Sequence, residues 1–425
     1  MYHDRYMETI LDLHIHSRYS RACSKNLTLP TIAAASATRG IDVVTTGDFT
    51  HPAWYQSLTE ELVEVGDGIF VVRGSAAPTR FILGTEISCI YSHAGKVRRV
   101  HVLVFAPSLV AVHKIIVALE KKGCNLRADG RPIIGLSAKD LLTLILEADA
   151  RCVMIPAHAW TPWFAVFGSK SGYDMLSECF EDLTPHIFAI ETGLSSDPAM
   201  NARLSALDSI ALISCSDAHS PDKLGREATV LDFVSRDAIT YDAIMQTLRE
   251  NNPETFKYTI EFFPEEGKYH MDGHAVCTFR CTPEETKKLR GLCPKCGRLL
   301  TVGVLNRIDA LADRPESSHP QRRIPHRSIV PLREIISNVL GVGVGSKRVG
   351  AMYDQITQNV GTEFAVLLRT PLEQIAAHST KEIARGIERM RAGNVFISPG
   401  YDGVFGTIAV FQDAQEKAKP QQALI

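Results

Sequence analysis

The stretch LDLHIHS, residues 11–17, places His14 and His16 two positions apart in a short run that alternates apolar and polar residues. Such alternation predicts a β-strand, and residues two apart on a strand point to the same face. Two imidazoles on one face have the spacing that two ligands of one metal centre need. A chance pair explains an isolated His-x-His equally well, so the interpretation depends on the rest of the chain.

Runs of the same β-rich character alternate with helix-like segments throughout residues 9–263. RFILGTEISCIY (80–91) and HIFAIET (186–192) are strand candidates, and SAKDLLTLILEADA (137–150) is a helix candidate. This βα alternation favours a parallel α/β barrel over a β-sandwich. In parallel barrels the carboxyl ends of the strands build the active site, and most of the predicted strands carry His, Asp or Glu near that end.

Ligand-type residues near the predicted strand ends are the main functional signal. A single one of them is equally well explained as a satisfied core histidine or a helix cap. Nine on successive apolar runs are hard to explain by packing, because buried imidazoles and carboxylates cost free energy unless they are paired or bound to metal. The predicted metal ligands are His14, His16, Asp48, His51, Glu86, His101, His158, Asp217 and His219.

Nine ligands exceed the needs of one ion, so we predict two or three neighbouring divalent ions, with Zn²⁺, Mn²⁺, Fe²⁺ or Mg²⁺ as candidates. Neighbouring cations lower the pKa of water and neutralise the charge that develops when a phosphoester is cleaved. The sequence has no Gly-x-Ser-x-Gly nucleophile motif. We therefore predict metal-dependent phosphoester hydrolysis with Asp217, His219 and His16 as catalytic residues, Asp217 being the bridge or anchor of the ions.

The ligand pattern resembles the PHP (polymerase and histidinol phosphatase) superfamily, whose distorted (βα)7 barrel opens with His-x-His and closes with Asp-x-His. The second motif departs from that superfamily. Residues 47–51 read GDFTH, so two residues separate Asp48 from His51, where the superfamily usually has Asp-His adjacent. Which of the two binds metal, or whether both do, stays open. The residues that match the superfamily pattern are His14, His16, Glu86, His101, His158, Asp217 and His219.

A second group of ligand-type residues follows the predicted barrel. Four cysteines with the spacing C-x3-C-x11-C-x2-C predict a tetrahedral Zn²⁺ site, which is structural because four thiolates leave no open position. His270 and His274 lie nearby and are alternatives for one thiolate, while four free thiols are the alternative to any metal site. The predicted zinc ligands are Cys277, Cys281, Cys293 and Cys296.

Charge is distributed unevenly along the 425 residues, although the formal net charge is only −2. Residues 1–277 carry 25 Lys+Arg and 34 Asp+Glu, a balance of −9, whereas residues 278–425 carry 21 and 14, a balance of +7. A basic rear half suits a polyanion, and a merely solvated surface is the alternative. Without an apolar run of membrane-span length or a signal peptide, we expect a cytoplasmic, nucleoid-associated protein with reduced cysteines and no membrane partner.

The chain after the predicted barrel, residues 1–263, divides by composition into three segments. Residues 264–313 hold the four-cysteine module, residues 314–330 predict a basic linker, and helical periodicity resumes in residues 331–425. There, LGVGVGSKRVG (340–350) has the glycine turn of a helix-hairpin-helix, whose backbone N–H groups bind phosphate; a helix C-cap is the alternative. The residues predicted to contact DNA are Gly343, Gly345, Lys347 and Arg348, and Arg322, Arg323, Arg327 and Arg333 add positive charge.

A barrel of this type, followed by a four-cysteine module and a basic helical domain, resembles the endonuclease Q family over residues 8–412. The resemblance is most specific in LDLHIHSRYS, GDFTHP, CSDAH and GYDGVFGTI. It implies a DNA repair endonuclease that cleaves the phosphodiester 5′ to deoxyinosine, deoxyuridine, xanthine or abasic sites and leaves 3′-hydroxyl and 5′-phosphate ends. The partner that it implies is DNA containing deaminated bases.

The loop AWTPWFAVFGSKSGYD (159–174) follows directly after the predicted ligand His158. Aromatic rings beside the metals would stack on an extruded base or wedge it out, and the Ser-Lys-Ser segment would hold a neighbouring phosphate. A lid that packs its own core is the alternative, and the better one for the phenylalanines. The residues of this loop predicted to contact DNA are Trp160, Trp163, Ser169, Lys170 and Ser171.

Two other functions are compatible with parts of the pattern. A small-molecule phosphatase of the histidinol-phosphate type explains the barrel but gives the four-cysteine module and the basic rear half no role. A DNA-repair scaffold with purely structural metals leaves the full ligand set unexplained. The terminal QQALI (421–425), with Gln421, Leu424 and Ile425, is similar to peptides that dock in bacterial sliding clamps, and a frayed terminus is the alternative.

Overall fold

The computed structural model describes residues 7–316 and 324–413, in which the chain forms 17 strands and 14 α-helices. The strands are β1 (Met7–Asp12), β2 (Val43–Thr45), β3 (Leu62–Gly66), β4 (Ile69–Val72), β5 (Arg80–His93), β6 (Lys96–Ala106), β7 (Ile133–Ile134), β8 (Val153–Pro156), β9 (Ala189–Glu191), β10 (Ala211–Ile213), β11 (Ala228–Phe233), β12 (Phe256–Glu261), β13 (Asp272–His274), β14 (Phe279–Cys281), β15 (His326–Ser328), β16 (Phe396–Ser398) and β17 (Thr407–Ala409).

The helices are of mixed length, and five of them follow one another in the last part of the described chain. They are α1 (Leu29–Arg39), α2 (Pro52–Glu61), α3 (Leu109–Lys121), α4 (Ala138–Ala148), α5 (Leu176–Phe180), α6 (Pro198–Asn201), α7 (Tyr241–Glu250), α8 (Pro283–Lys288), α9 (Val304–Leu311), α10 (Leu332–Leu340), α11 (Lys347–Asn359), α12 (Glu363–Leu368), α13 (Leu372–Ala377) and α14 (Lys381–Arg391).

A large mixed sheet with strand order β15-β12-β11-β1-β2-β5-β4-β3 forms the centre of the molecule. The long strand β5 divides it. Residues Arg80, Phe81 and Ile82 pair with β2, while the following residues pair with β6, which in turn pairs with β8. Strands β9 and β10 pair in parallel as a separate two-stranded sheet. The fold is therefore mixed α/β, with β1–β2, β2–β5 and β9–β10 in the parallel arrangement that the sequence predicts.

The sheet differs from an all-parallel barrel at six pairings: β1–β11, β3–β4, β4–β5, β5–β6, β6–β8 and β11–β12 are antiparallel. The reason is clearest between β5 and β6, where Ala94 and Gly95 both have positive φ, 51° and 73°. Two such residues form the tight turn that reverses a chain directly into an antiparallel partner, so no crossover helix is needed.

Amphipathic helices cover the sheet. In α4 the residues Leu141, Leu142 and Ile145 are buried at helical spacing, and Ser137 caps the helix by accepting a hydrogen bond from the backbone N–H of Asp140. Helix α4 packs against α3 and β8. These contacts hold β8 in place, and the metal-site residue His158 follows that strand.

The cysteine-containing segment packs directly on the α/β part of the molecule. Helix α9 buries Val304 and Ile308 in the main hydrophobic core. From the same helix, Arg307 donates hydrogen bonds to the carbonyl oxygens of Phe167 (2.8 Å) and Tyr173 (2.9 Å). The aromatic loop 159–174 is therefore fixed from outside by this module.

Part of the predicted linker 314–330 belongs to the sheet. Strand β15 adds to the edge strand β12 in parallel, and the following Ile329 and Val330 are buried, which explains why this stretch is ordered. Arg327 places its guanidinium 4.4 Å from the centre of the Tyr258 ring. Arg322 and Arg323 lie outside the described residues.

Helices α10 to α14 form the last part of the described chain, with α14 packed against α10 and α13. In the turn between α10 and α11, Gly341 ends α10 with φ 65°, which is the helix C-cap that the sequence offered as the alternative, and Ser346 caps α11. Gly343, Gly345, Lys347 and Arg348 are all exposed there. The predicted clamp peptide QQALI lies outside the described residues. Among the described residues, no helix has both the length and the hydrophobicity that a bilayer crossing requires.

Candidate active site

Seven ligand-type side chains from five parts of the chain lie close together. They follow the ends of β1, β8 and β10 or lie within β5 and β6, so the mixed sheet brings together residues that are far apart in sequence. All seven belong to groups whose candidate ligand atoms lie within 4.8 Å of one another. The three overlapping groups are His14, His16 and Glu86; His16, Asp217 and His219; and Glu86, His101 and His158.

Glu86 lies at the centre of this cluster, with its two carboxylate oxygens facing different histidines. Its Oε1 is 2.6 Å from Nδ1 of His101 and 3.0 Å from Nε2 of His158. Its Oε2 is 3.6 Å from Nε2 of His14 and 3.3 Å from Nε2 of His16. A carboxylate in this position would hold divalent ions together with these histidines.

The cluster fits divalent cations on a direct structural test. The Nε2 atoms of His14 and His16 and Oδ1 of Asp217 are buried, yet none of the three makes a well-oriented hydrogen bond to a described residue. Buried polar atoms without partners are costly, and a cation between them removes that cost. Oδ1 of Asp217 lies 3.5 Å from the His14 Nε2 atom and 3.2 Å from the His16 Nε2 atom.

The electrostatic field of the site points to the same conclusion. Burial alone would lower the pKa of His14, yet the carboxylates of Glu191, Asp217 and Glu86 raise it well above the usual range. Burial would likewise raise the pKa of Asp217, yet His14 and His16 lower it. The carboxylates that raise the pKa of the His14 imidazole create a negative potential in the site. The same negative potential attracts divalent cations.

Three residues at or beside the cluster have a strained backbone. Asp48, His158 and Asp217 have φ values of 47°, 30° and 46°, in a region that residues other than glycine rarely adopt. Each lies just after a strand, where the chain must turn sharply to aim the side chain at the site. Gly193 helps at one of them, because a Cβ there would lie 2.5 Å from the Cβ of His158. Strain of this kind is typical of functional positions.

Asp48 contacts a ligand from outside the group. Its Oδ1 is 3.0 Å from Nδ1 of His16, and its Oδ2 accepts hydrogen bonds from the Ser17 backbone N–H (2.6 Å), the Ser17 hydroxyl (2.7 Å) and the Ser20 hydroxyl (2.9 Å). An aspartate here holds the proton on Nδ1 and leaves Nε2 of His16 free for a metal. His51 lies farther out, stacked on Tyr19 at 4.4 Å, and belongs to none of the three groups.

Two residues at the site were not among those predicted from the sequence. Glu191 is fully buried, lies 3.0 Å from Nδ1 of His14 through Oε1, and accepts a 2.6 Å hydrogen bond from the backbone N–H of His158 through Oε2. Its signal was available, because it ends a predicted strand in HIFAIET as the other site residues do. Arg131, which places Nη1 3.1 Å from Glu86, lies in a loop and had no such signal.

We expect Glu191→Gln to weaken metal binding by roughly 10- to 100-fold. Glu191 accepts from two donors with two oxygens, whereas glutamine offers one acceptor and sets an NH₂ group against the other donor. Metal-dependent activity should then need a higher metal concentration and recover as metal is added. The exposed Glu181→Gln serves as the control. An unchanged metal titration would show that Glu191 does not orient His14.

A buried carboxyl network lies next to Glu191. Thr192 and Ser214 donate hydrogen bonds to Oε2 of Glu261 at 3.1 and 3.0 Å, and Thr259 donates to Oε1 at 2.5 Å. Burial raises the pKa of Glu261 to about 8, although these hydroxyl groups oppose the change. Burial and the nearby Glu261 also raise the pKa of Glu227. Glu261 is therefore protonated in the folded protein at neutral pH.

This network predicts a pH-dependent effect of Glu261→Gln on stability. The unfolded chain releases the Glu261 proton near pH 4.5 and the folded chain near pH 8, so wild-type stability falls across that window by at most about 1.4 kcal/mol per pH unit. A glutamine cannot ionise. The variant should gain in melting temperature relative to wild type between pH 6 and pH 8.5. A constant difference between the two proteins would contradict the raised pKa.

A cleft of about 570 Å³ opens over the exposed side of the metal-site cluster. Its walls combine three kinds of group: ligands of the cluster, aromatic rings and cationic side chains. It is lined by residues that include His101, His158, Asp217, Trp163, Phe164, Tyr269, Phe405, Arg21, Arg131 and Lys268. The volume falls in the range of sites that hold one small molecule or one nucleotide.

The aromatic loop places only part of the predicted DNA-contacting set at this cleft. Trp163 lines the cleft and meets the Tyr269 ring edge-on at 5.3 Å, and Lys170 is exposed. Trp160 is fully buried and donates a 2.7 Å hydrogen bond to Oδ1 of Asn201, which contradicts its predicted contact with DNA. An indole N–H with a buried partner favours the core over the surface.

Of the two serines of this loop, Ser171 is buried and Ser169 is half-buried. Ser171 donates a hydrogen bond to the carbonyl oxygen of Arg99 and accepts one from the backbone N–H of Phe164. It therefore ties the loop to β6, and its burial contradicts a predicted phosphate contact. The Ser169 hydroxyl is buried without a hydrogen-bond partner among the described residues. Only Lys170 of the Ser-Lys-Ser segment is placed to reach a phosphate.

The cysteine cluster forms with one change in its ligands. His274, Cys277, Cys293 and Cys296 bring four ligand atoms within 4.8 Å of one another. Cys281 is not in this group: it pairs with Asp272 across β13 and β14, and its thiol contacts the Thr286 hydroxyl at 3.2 Å. His274 stands at the other end of β13, beside Cys296. Three thiols and one imidazole are a usual Zn²⁺ donor set, so the residues fit the ion with His274 replacing Cys281.

Comparison with known sequences finds relatives along the whole chain. A family model described as the MJ0043 C-terminal domain matches residues 331–394. Protein YqxK of Bacillus subtilis, described as uncharacterized, is 30% identical over 413 residues, which cover 93% of this chain and 98% of YqxK. Protein MJ0043 of Methanocaldococcus jannaschii, also described as uncharacterized, is 30% identical over 273 residues. That alignment covers 63% of this chain but only 33% of MJ0043.

Comparison with solved structures gives two full-length matches. The lesion-specific endonuclease PfuEndoQ from Pyrococcus furiosus superposes with a TM-score of 0.83 at 32% identity, covering 97% of this chain and 98% of that protein. An endonuclease Q complex with a 27-mer duplex substrate, which has an abasic lesion at the active site, superposes with a TM-score of 0.85 at 32% identity. That match covers 99% of this chain and 100% of the other.

Proposed function

The chain belongs to the endonuclease Q family, and from this premise we propose that it is a DNA repair endonuclease that incises duplex DNA beside a damaged nucleotide. The substrate class we propose is DNA with hypoxanthine, uracil, xanthine or an abasic site. The bond cleaved is the phosphodiester 5′ to the lesion, which leaves a 3′-hydroxyl and a 5′-phosphate.

One observation carries the proposal: the Glu86-centred cluster lies at the end of a cleft that is lined by aromatic and cationic side chains. Phosphodiester cleavage needs cations at the reacting phosphate, and recognition of an extruded base needs flat apolar surfaces. Trp163 and Tyr269 supply such surfaces, and Arg131 and Lys268 supply positive charge for the neighbouring backbone. A phosphatase acting on a small molecule has no need of the aromatic wall.

The residues that would hold two or three divalent ions are the seven of the cluster. When bound there, such ions lower the pKa of water and stabilise negative charge on a phosphate. Glu191 and Asp48 fix the tautomers of His14 and His16, so that both Nε2 lone pairs face inward. His219 is fixed similarly, because its Nδ1 is 2.9 Å from the Asp217 carbonyl oxygen and donates to it. Asp217 faces both the ligands and the cleft.

The helical segment supplies a second proposed contact with DNA. The turn at Gly343 and Gly345 is exposed, and α11 begins directly after it with Lys347 and Arg348. Backbone N–H groups at such a turn, with two cations beside them, suit a phosphate of the duplex outside the cleft. This contact would add affinity without sequence preference.

An end-labelled duplex with a single deoxyinosine tests the proposal. We expect a nick on the 5′ side of the lesion, dependent on a divalent ion, and no nick in the same duplex with deoxyadenosine at that position. Release of phosphate from histidinol phosphate without a nick would support the small-molecule phosphatase instead. Binding without either reaction would support a scaffold.

Metal analysis of the same protein sample links the incision to its cofactors. We expect zinc bound at the cysteine cluster and further divalent ions at the Glu86-centred cluster. Repeating the reaction after chelation with single additions of Mg²⁺, Mn²⁺, Fe²⁺ and Zn²⁺ would identify the ions that support cleavage.

A further inference from the structure

An aromatic side chain at the mouth of the cleft has no part in the mechanism above. Phe405 is 69% exposed, and it lines the same cleft as Trp163 and Asp217. It comes from the segment GYDGVFG (400–406), near the end of the described chain. A single exposed phenylalanine is unremarkable in itself. What distinguishes this one is how rigidly the protein holds it beside the metal site.

A tight two-residue turn presents Phe405. Asp402 and Gly403 have φ values of 45° and 87°, as the two central residues of a type I′ turn require. Tyr401 donates its backbone N–H to the carbonyl oxygen of Val404 at 3.0 Å, and Val404 donates back at 2.8 Å. The turn is thus closed on both sides, and Phe405 follows directly from it.

Hydrogen bonds also connect this turn to the segment that forms one wall of the cleft. A Cβ on Gly400 or Gly406 would collide with the backbone of residues 265–267, so the two segments touch with no side chain between them. Asp402 also accepts a 2.6 Å hydrogen bond from the backbone N–H of Ala275. The backbone hydrogen bonds between the segments run from Gly400 to Glu265 (2.8 Å), from Gly403 to Lys268 (2.8 Å) and from Gly406 to Glu266 (2.9 Å).

The groups around Phe405 suit the entry of duplex DNA. The Nζ atom of Lys268 is 5.7 Å from the centre of the Phe405 ring and 5.6 Å from that of Tyr269. The Tyr269 ring also meets the Trp163 ring edge-on. A cation beside an exposed ring can take a backbone phosphate while the ring faces the bases. The aromatic wall inside the cleft is then left for the extruded nucleotide.

We propose that Phe405 is a wedge that enters the base stack at the step beside the extruded nucleotide. This inference rests on the proposed function. Extrusion has an unstacking cost, and an apolar side chain that inserts between base pairs offsets it by occupying the vacated space. The rigid turn matters because a mobile ring would fold back on the protein. Phe405 is a positioning residue, not a catalytic one.

The test compares two substrates that differ only in the cost of extrusion: a fully paired duplex with one deoxyinosine, and the same lesion inside a short mismatched bubble. We expect Phe405→Ala to lower kcat/KM on the paired duplex by about 10- to 100-fold and on the bubble by no more than about threefold. Phe405→Leu should lie between alanine and wild type. The matched control is Phe396→Ala, a second exposed ring, which does not line the cleft and should change neither rate.

Equal losses on the two substrates would overturn the wedge, as would full activity of Phe405→Ala on the paired duplex. A second measurement does not depend on cleavage. A 2-aminopurine base next to the lesion, in a duplex with a methylphosphonate at the scissile position, should brighten on binding wild type and not on binding Phe405→Ala. If wild type cuts neither substrate, the proposed function fails. In that case the fluorescence change alone decides whether Phe405 acts as a wedge.

Discussion

Asp217→Asn should lower the rate of DNA incision by about a thousandfold or more, while the protein stays folded and still binds DNA. The Oδ1 atom of Asp217 lies within 3.2–3.6 Å of ring nitrogens on His14, His16 and His219, so one carboxylate faces three of the candidate ligands. An amide has the same shape but no charge. Loss of that charge should weaken metal binding at the cluster.

Asparagine is a better replacement than alanine at this position. Asp217 has φ 46°, and asparagine tolerates that left-handed conformation better than other residues with a side chain. The backbone should therefore keep its turn, and a loss of activity can be assigned to charge. Asp237→Asn is the matched control, because Asp237 is fully exposed and distant in sequence. Single-turnover incision, metal content and DNA binding should be measured on both variants. Parallel loss of DNA binding and of thermal stability in Asp217→Asn would indicate a folding defect instead.

The positions of the site residues could be predicted because each one follows or lies within an apolar strand. His14 and His16 alternate with the buried Leu13 and Ile15, and that period-two pattern is visible in the amino-acid sequence. The same rule would have included Glu191, which ends HIFAIET. The strand-end rule could not show that Asp48 lies outside the group of ligands. Asp48 differs from the ligands in the atom of His16 that its carboxylate faces, which is Nδ1. That depends on the three-dimensional turn after β2.

Burial within the aromatic loop could not be predicted for a different reason. Loop residues have no periodicity, so nothing in the letters distinguishes Trp160, which is fully buried, from Trp163 three residues later, which lines the cleft. The burial of each ring depends on a partner that is distant in the sequence. Asn201 accepts a hydrogen bond from the Trp160 indole, while Tyr269 packs beside Trp163. Strand direction is a different case: only Ala94 and Gly95 separate β5 from β6, and so short a connection requires an antiparallel pair, a signal that the parallel-barrel prediction did not use.

The second large effect concerns the cysteine cluster, where His274→Ala should abolish zinc binding and Cys281→Ser should leave it intact. His274 lies within the group of four ligand atoms, whereas the Cys281 thiol is directed to Thr286. A hydrogen bond with the Cys296 thiol, followed by desolvation and a hydrogen bond with Cys293, raises the pKa of Cys277 to about 11. A bound cation would reverse this effect by stabilising the thiolate. The hydrophobic cluster around β13, β14 and α8 is small, so the ion would add to the hydrogen bonds that hold them, such as those from Thr286 to Asp272 and from Ala275 to Asp402.

Cobalt substitution separates this site from the Glu86-centred cluster, because only a site with thiolate ligands gives sulfur-to-metal charge-transfer absorption. We expect that band to have the intensity of three thiolates in wild type, to be unchanged in Cys281→Ser, and to disappear in Cys293→Ser and His274→Ala.

The variants that lose the ion should also melt at lower temperature and be cleaved by protease within residues 272–300, since structural zinc contributes directly to folding free energy. Loss of the band in Cys281→Ser would restore the four-cysteine set. Because α9 fixes the aromatic loop through Arg307, loss of this zinc should lower incision as well, even though no cysteine touches the cleft.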